Sequence, residues 1–219
     1  MAKRVGVVLS GCGVMDGSEI HEAVCTMLAI DRASAEIICI APDKDQADVV
    51  NHLSNAPQRE TRSVLAESAR IARGEIRDLS KVKVSDLDAV VLPGGYGAAK
   101  NLCSFAKDGA GCVVDPELKR LLLEMHRAKK PIGALCIAPA VVAAVFGKDL
   151  HPELTIGTDD GTAQALEKMG AKHRKTPVSD IVVDRKNKIV TNACYMLATR
   201  ISEVAAGAEK VVQAVLEMA

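Results

Sequence analysis

The sequence predicts a three-layer α/β sandwich: a mostly parallel, doubly wound sheet with helices on both faces. Short Val- and Ile-rich runs alternate with longer segments of helical period, and parallel strands need such helical crossovers. Ala89-Val90-Val91-Leu92 is apolar throughout, as a central strand covered on both faces must be. With 219 residues, 48% hydrophobic and 26% charged, the chain can bury one substantial core, so a single domain spanning 1–219 is expected.

The β-like runs are Arg4 to Leu9, Glu36 to Ala41, Ala89 to Pro93, Ile132 to Cys136, Leu154 to Gly157, Ile181 to Asp184 and Lys188 to Thr191. Helices are expected over Ser18 to Ala33, Glu60 to Arg73, Pro116 to Lys129, Ile137 to Phe146 and Gly161 to Met169. A last helix over Met196 to Glu217 is expected to be interrupted near Gly207. Ser18 and Asp115 stand where N-caps belong, the latter followed by Pro116 in the first turn. Asp184 to Lys188 reads as a hairpin turn, which would make the far edge of the sheet antiparallel. Asp43 to Arg59 has the least periodicity and reads as an excursion from the core.

Composition narrows the function classes. Lys plus Arg and Asp plus Glu both number 28, so no net field gathers phosphate backbones or anionic lipid. Two Tyr, two Phe and no Trp leave few platforms for stacking bases. Neither nucleic acid nor membrane is expected as a partner. The apolar run behind Lys3-Arg4 stops at Ser10-Gly11-Cys12-Gly13, too short for a signal-peptide core, and a cytoplasmic location is expected, or an organelle matrix if a longer precursor existed. Seven cysteines without a Cys-x-x-Cys pair argue against a disulfide framework or a zinc ribbon, and no metal is expected.

Ligands of open α/β sheets sit at the carboxyl ends of the strands. That singles out Ser10 to Ser18, Pro93 to Lys100, Cys136 to Pro139, Thr158 to Thr162 and Asn192 to Tyr195. In Ile132-Gly-Ala-Leu-Cys136-Ile-Ala-Pro139 an apolar strand runs directly into a helix with a thiol at the joint. Exposed there, the thiol would gain from the unpaired amides and positive end of the helix, so Cys136 is expected to ionise below the ~8.5 of a free cysteine. The Ile137 amide is the matching oxyanion donor. Leu92-Pro93-Gly94-Gly95 lets backbone amides approach a ligand, which makes Gly94 and Gly95 candidates for substrate binding. Neither a Walker loop nor a dinucleotide fingerprint is present. Glu19 and Glu22 lie one helical turn apart and share a face, so either carboxyl could serve the thiol.

The elbow, the Leu-Pro-Gly-Gly turn and the ending Asp180-Ile-Val-Val-Asp184…Lys188-Ile-Val-Thr191 resemble the ThiJ/PfpI branch of the class I glutamine amidotransferase-like superfamily. The beginning, Gly6-Val-Val-Leu-Ser-Gly-Cys-Gly-Val-Met-Asp-Gly-Ser-Glu-Ile-His-Glu22, is similar to its isoprenoid-biosynthesis-associated glyoxalase subgroup, ElbB. The resemblance implies a flavodoxin-like fold, an acidic partner for the cysteine and conversion of a small dicarbonyl such as glyoxal to a hydroxy acid. It also implies action on early glycation adducts. Counting back from Asp31-Arg32-Ala33-Ser34, which resembles the end of the first helix in relatives, assigns the carboxyl to Glu22, with Glu19 as the second choice. The histidine that many relatives carry after the next strand is missing, since Thr158-Asp159-Asp160 stands there; His151 and His173 lie elsewhere in the sequence.

The reading is a cofactor-independent glyoxalase with Cys136 and Glu22 as catalytic residues, Gly94, Gly95 and Ile137 around the oxyanion, a small dicarbonyl substrate and a homodimeric state. Two alternatives stay open. One is a redox-sensing or interaction protein using a low-pKa cysteine, with Cys12 and Cys194 as resolving thiols; the other is a glutaminase-type amidotransferase subunit.

Overall fold

The apolar runs assemble, in a computed structural model that describes residues 2–219, into strands β1 (Arg4–Val8), β2 (Glu36–Ala41), β3 (Val50–Asn51), β4 (Ala56–Pro57), β5 (Ile76–Asp78), β6 (Ala89–Leu92), β7 (Ile132–Leu135), β8 (Glu153–Leu154), β9 (Lys172–His173), β10 (Ile181–Asp184) and β11 (Ile189–Asn192). The helices are α1 (Ile20–Arg32), α2 (Val64–Ile71), α3 (Tyr96–Lys100), α4 (Phe105–Asp108), α5 (Pro116–Arg127), α6 (Pro139–Leu150), α7 (Asp160–Lys168) and α8 (Ile201–Met218).

Seven strands form the central sheet in the order β10-β11-β7-β6-β1-β2-β5, all parallel except β10, which folds back on β11 as the Asp184 to Lys188 turn requires. Strands β6 and β7 have no exposed residue, in keeping with their unbroken apolar sequence. Helices α1, α2 and α8 cover one face, where Val5, Val7, Ala23, Ile30 and Val211 pack together. Helices α5 and α6 cover the other, around Leu118, Leu122, Met125, Val141 and Phe146. Strand order reverses at β1, whose neighbours are β2 on one side and β6 on the other, so the crevice falls over β1, β6 and β7. Among the described residues no helix is long and apolar enough to cross a membrane.

Several expectations need correction. The segment after α6 forms only β8, paired with β9 in a small separate sheet, because Thr155 gives its amide to the Thr191 hydroxyl instead of to a ladder. Helix α8 starts at Ile201 and runs unbroken through Gly207, which stands where a side chain would strike Asn192. Ser18 does not cap α1: its hydroxyl accepts the Ser10 amide, and the N-cap is Glu19. Asp115 does cap α5, accepting from Glu117 and Leu118. Strand β5 escapes notice in the sequence because three residues carry too little alternation.

The excursion after β2 holds the β3-β4 hairpin and is tied to the crevice loops by two buried side chains, Asp16, which accepts the Val50 amide at 2.7 Å, and Asn101. Asn101 accepts the Ala47 amide at 2.8 Å and donates to the carbonyls of Ser10 and Asp16, each at 2.8 Å. Asn101→Ala strands all three backbone groups, so unfolding in urea is expected to show a loss of about 3 kcal/mol at roughly 1 kcal/mol per bond. A loss below about 1 kcal/mol would mean that Asn101 does not hold these loops together.

Candidate active site

At the end of β7 the chain must leave the sheet and turn at once into α6. Cys136 makes that turn with φ 57°, in the left-handed region that costs a non-glycine residue about 1–3 kcal/mol. Its amide donates to the Asn192 carbonyl at 2.9 Å, which anchors the turn to the end of β11. The sulfur thereby stands at the head of the crevice, flanked by the amides of Gly95 and Ile137.

Glu22, in the first turn of α1, lies against Cys136 with no surface exposed. Its Oε2 accepts the Gly94 amide at 2.8 Å and its Oε1 the Tyr195 amide at 3.1 Å. Gly94 has to be glycine for this: a Cβ there would lie 2.5 Å from the Cys136 Cβ and 2.8 Å from Glu22 Oε2. The Gly94 carbonyl in turn accepts the Glu19 amide at 3.0 Å. Gly94 is thus committed to Glu22 and Glu19, which corrects its expected place among the oxyanion donors; Gly95 and Ile137 line the cavity wall.

Glu19 sits differently. As the N-cap of α1 its Oε2 accepts the Glu22 amide at 2.7 Å, and its side chain forms part of the cavity wall. The two carboxyls offered by the sequence as alternatives occupy separate places, Glu22 sealed against the sulfur and Glu19 facing the cavity.

Burial sets the electrostatics. It pushes the Glu22 carboxyl up from 4.5 to about 7, against the pull of the Tyr195 and Gly94 amides. Burial and the Glu22 charge push the Cys136 thiol well above its ordinary 9.0, and the Gly95 and Ile137 amides offset only part of this. The expected low-pKa thiolate is therefore corrected. The thiol is 8% exposed instead of open to water, and the regular turns of α6 begin three residues later, at Pro139.

The cavity above the sulfur measures about 350 Å³. All five of the loops named from the sequence reach it, contributing among others Val14, Tyr96, Ile137, Thr162 and Tyr195. Phe105 and Ala106 of α4 also line it and went unrecognised, since the segment between α3 and α5 has no periodicity to betray it. Among the described residues no Lys, Arg or His lines the wall. His151 instead bonds the Gly170 carbonyl and His173 the Ile156 amide, while His21 bonds the Tyr195 hydroxyl at 2.7 Å outside the wall. Among the described residues no group of three or more His, Cys, Asp or Glu converges as metal ligands.

All seven cysteines are free thiols. Cys194 is fully buried and Cys12 half-buried, and burial pushes both thiols up. Cys103 donates to the Ala98 carbonyl at 3.4 Å and Cys112 to the Met169 sulfur at 3.9 Å.

No protein-family model matches the chain. Among curated proteins it is 45% identical to the ES1 protein homolog, mitochondrial, of Rattus norvegicus, over 98% of this chain and 84% of that one. It is 44% identical to the glutamine amidotransferase-like class 1 domain-containing protein 3, mitochondrial, of Homo sapiens, over 99% and 84%. Among solved structures it superposes at TM-score 0.90 and 39% identity on an isoprenoid biosynthesis protein with amidotransferase-like domain from Ehrlichia chaffeensis, covering 98% of this chain and 99% of that one. Both curated relatives are named mitochondrial, which overturns the cytoplasmic location expected from the sequence.

The raised Glu22 pKa has a consequence for stability. Between pH 4.5 and about 7 the folded protein keeps a proton that the unfolded chain releases, so this contribution is full below pH 4.5 and lost as pH rises through about 7. Glu22→Gln has no proton to lose. Relative to the wild type it is expected to gain on the order of 2 kcal/mol in unfolding free energy between about pH 5 and about pH 8.5, from 1.36 kcal/mol per unit. Parallel stability curves over that range would show that Glu22 titrates normally.

Proposed function

The chain belongs to the glutamine amidotransferase-like class 1 (ES1) proteins of the DJ-1/ThiJ/PfpI superfamily, and on that premise we propose that it is a cofactor-independent glyoxalase. The observation that carries the reading is the Cys136 thiol on its elbow, backed by a buried carboxyl and opening into a largely apolar cavity that Glu19 also lines. A small dicarbonyl enters and the Cys136 sulfur attacks one aldehyde carbon. The thiol keeps its proton at rest, so the ionised form of Glu22 takes that proton as the carbon–sulfur bond forms. With a pKa of about 7, Glu22 is present in both protonation states at neutral pH and can give the proton back when the sulfur leaves. The developing alkoxide is met by the amides of Gly95 and Ile137. One carbon is oxidised and its neighbour reduced, so the reaction is internally balanced, and water releases glycolate from glyoxal. Early glycation adducts, in which the aldehyde carbon is held as a hemiaminal or hemithioacetal and must first be released, are proposed as further substrates.

The alternatives fare worse. Amide hydrolysis needs a group to protonate the departing nitrogen, a role histidine commonly fills, and among the described residues no histidine lines the cavity. A redox sensor needs an accessible thiolate, whereas burial pushes both Cys136 and Cys194 towards the thiol.

Purified protein is expected to form glycolate from glyoxal and lactate from methylglyoxal, and no glutamate from glutamine. Cys136→Ser should abolish turnover with the fold intact, Glu22→Gln should lower it about a hundredfold, and Cys12→Ser should leave it near wild type. Turnover surviving in Cys136→Ser would move the nucleophile elsewhere.

A further inference from the structure

Resting on the glyoxalase reading, the chemistry needs two proton movements at different atoms. One is the sulfur proton. The other is the hydrogen on the carbon that the sulfur has attacked, which must pass to the neighbouring carbon before a hydroxy acid can form.

Glu22 is badly placed for the second. It has no exposed surface, takes no part in the cavity wall, and each of its oxygens already accepts a backbone amide. Glu19 is the carboxyl that the cavity does contain. Its Oε2 is pinned by the Glu22 amide, and its Oε1 accepts no hydrogen bond among the described residues. Pinning matters because a base held in one rotamer reaches its proton without a further loss of freedom. Oε1 lies 3.9 Å from His21 Nδ1, which bonds the Tyr195 hydroxyl, and the His21 side chain is half exposed.

We propose that Glu19 is the base that moves the carbon-bound proton of the substrate, leaving Glu22 to the sulfur. Glu19 Oε1 removes the hydrogen from the carbon bearing sulfur and hydroxyl, and the electron pair becomes the carbon–carbon double bond of an enediolate. Protonated Glu19 then delivers a proton to the adjacent carbon, while the hydroxyl on the sulfur-bearing carbon passes its proton to the neighbouring oxygen and becomes a carbonyl. The product is a thioester of Cys136 with a neighbouring CH2OH group when glyoxal is the substrate. Water cleaves the carbon–sulfur bond, giving the hydroxy acid and returning the proton to sulfur.

Glu19→Gln retains an oxygen to accept the Glu22 amide, so the helix cap survives. With glyoxal, this variant is expected to form the Cys136 hemithioacetal, seen as an intact-mass adduct, while glycolate formation falls about a hundredfold. Glu19→Ala is expected to behave alike and to regain activity as acetate or formate is added, a rescue that a merely structural role would not allow. Glu19→Gln turning over within about threefold of an active wild type, or Glu19→Ala gaining nothing from small carboxylates, would overturn the assignment. A wild-type protein that makes no hydroxy acid from any dicarbonyl overturns the glyoxalase reading and this inference with it, whereas an active wild type with an active Glu19→Gln removes this inference alone.

Discussion

Two backbone amides, those of Gly94 and Tyr195, hold the Glu22 carboxyl against the sulfur of Cys136, and most of the site's properties follow from that contact. It joins the first turn of α1 to the ends of β6 and β11, three elements far apart in sequence. The Gly94 carbonyl returns a bond to Glu19, so the same residue fixes both carboxyls. Sealing Glu22 from water raises its pKa, and its charge in turn discourages the thiol from ionising. Near neutrality it is therefore the carboxyl that gains and loses a proton, while the thiol beside it keeps its own.

This arrangement explains why the helix terminus does not decide the state of Cys136. A dipole effect of 0.3–1 kcal/mol for exposed groups, or about 2 kcal/mol when partly buried, is small beside the desolvation of a thiolate with 8% exposure and a carboxyl behind it. The Gly95 and Ile137 amides recover part of the cost. The consequence for chemistry is that sulfur becomes a nucleophile as it reacts, with its proton passing to Glu22, instead of waiting as an exposed thiolate open to oxidation.

Much of the fold was legible because its signals are local. The runs Glu36 to Ala41 and Ile181 to Asp184 coincide with strands, since each is bounded by turn residues and rich in Ile or Val. The rule that ligands sit at the carboxyl ends of strands singled out five loops, and all five reach one cavity. What local sequence could not show is depth. Nothing around Cys136 reveals that Glu22 and Gly94 will close over it, so the direction of its pKa shift was misjudged. Phe105 and Ala106 reach the cavity through an irregular segment whose position depends on contacts with α3 and on Cys103 opposite Val114. Glu19 and Glu22 looked interchangeable because one turn of helix separates them, yet the N-cap position turns one to the cavity and the helical position buries the other.

The account stands most directly on the proton of Glu22. Alkylation of Cys136 by iodoacetamide, followed from pH 5 to pH 10 in the wild type and in Glu22→Gln, reads it at the sulfur itself. The rate is expected to climb in two steps in the wild type, the first tracking loss of the Glu22 proton near pH 7 and the second lying above the ordinary cysteine range. In Glu22→Gln a single step is expected. A wild-type rate already at its plateau at pH 5, and unchanged by Glu22→Gln, would show a preformed thiolate independent of Glu22 and contradict the account.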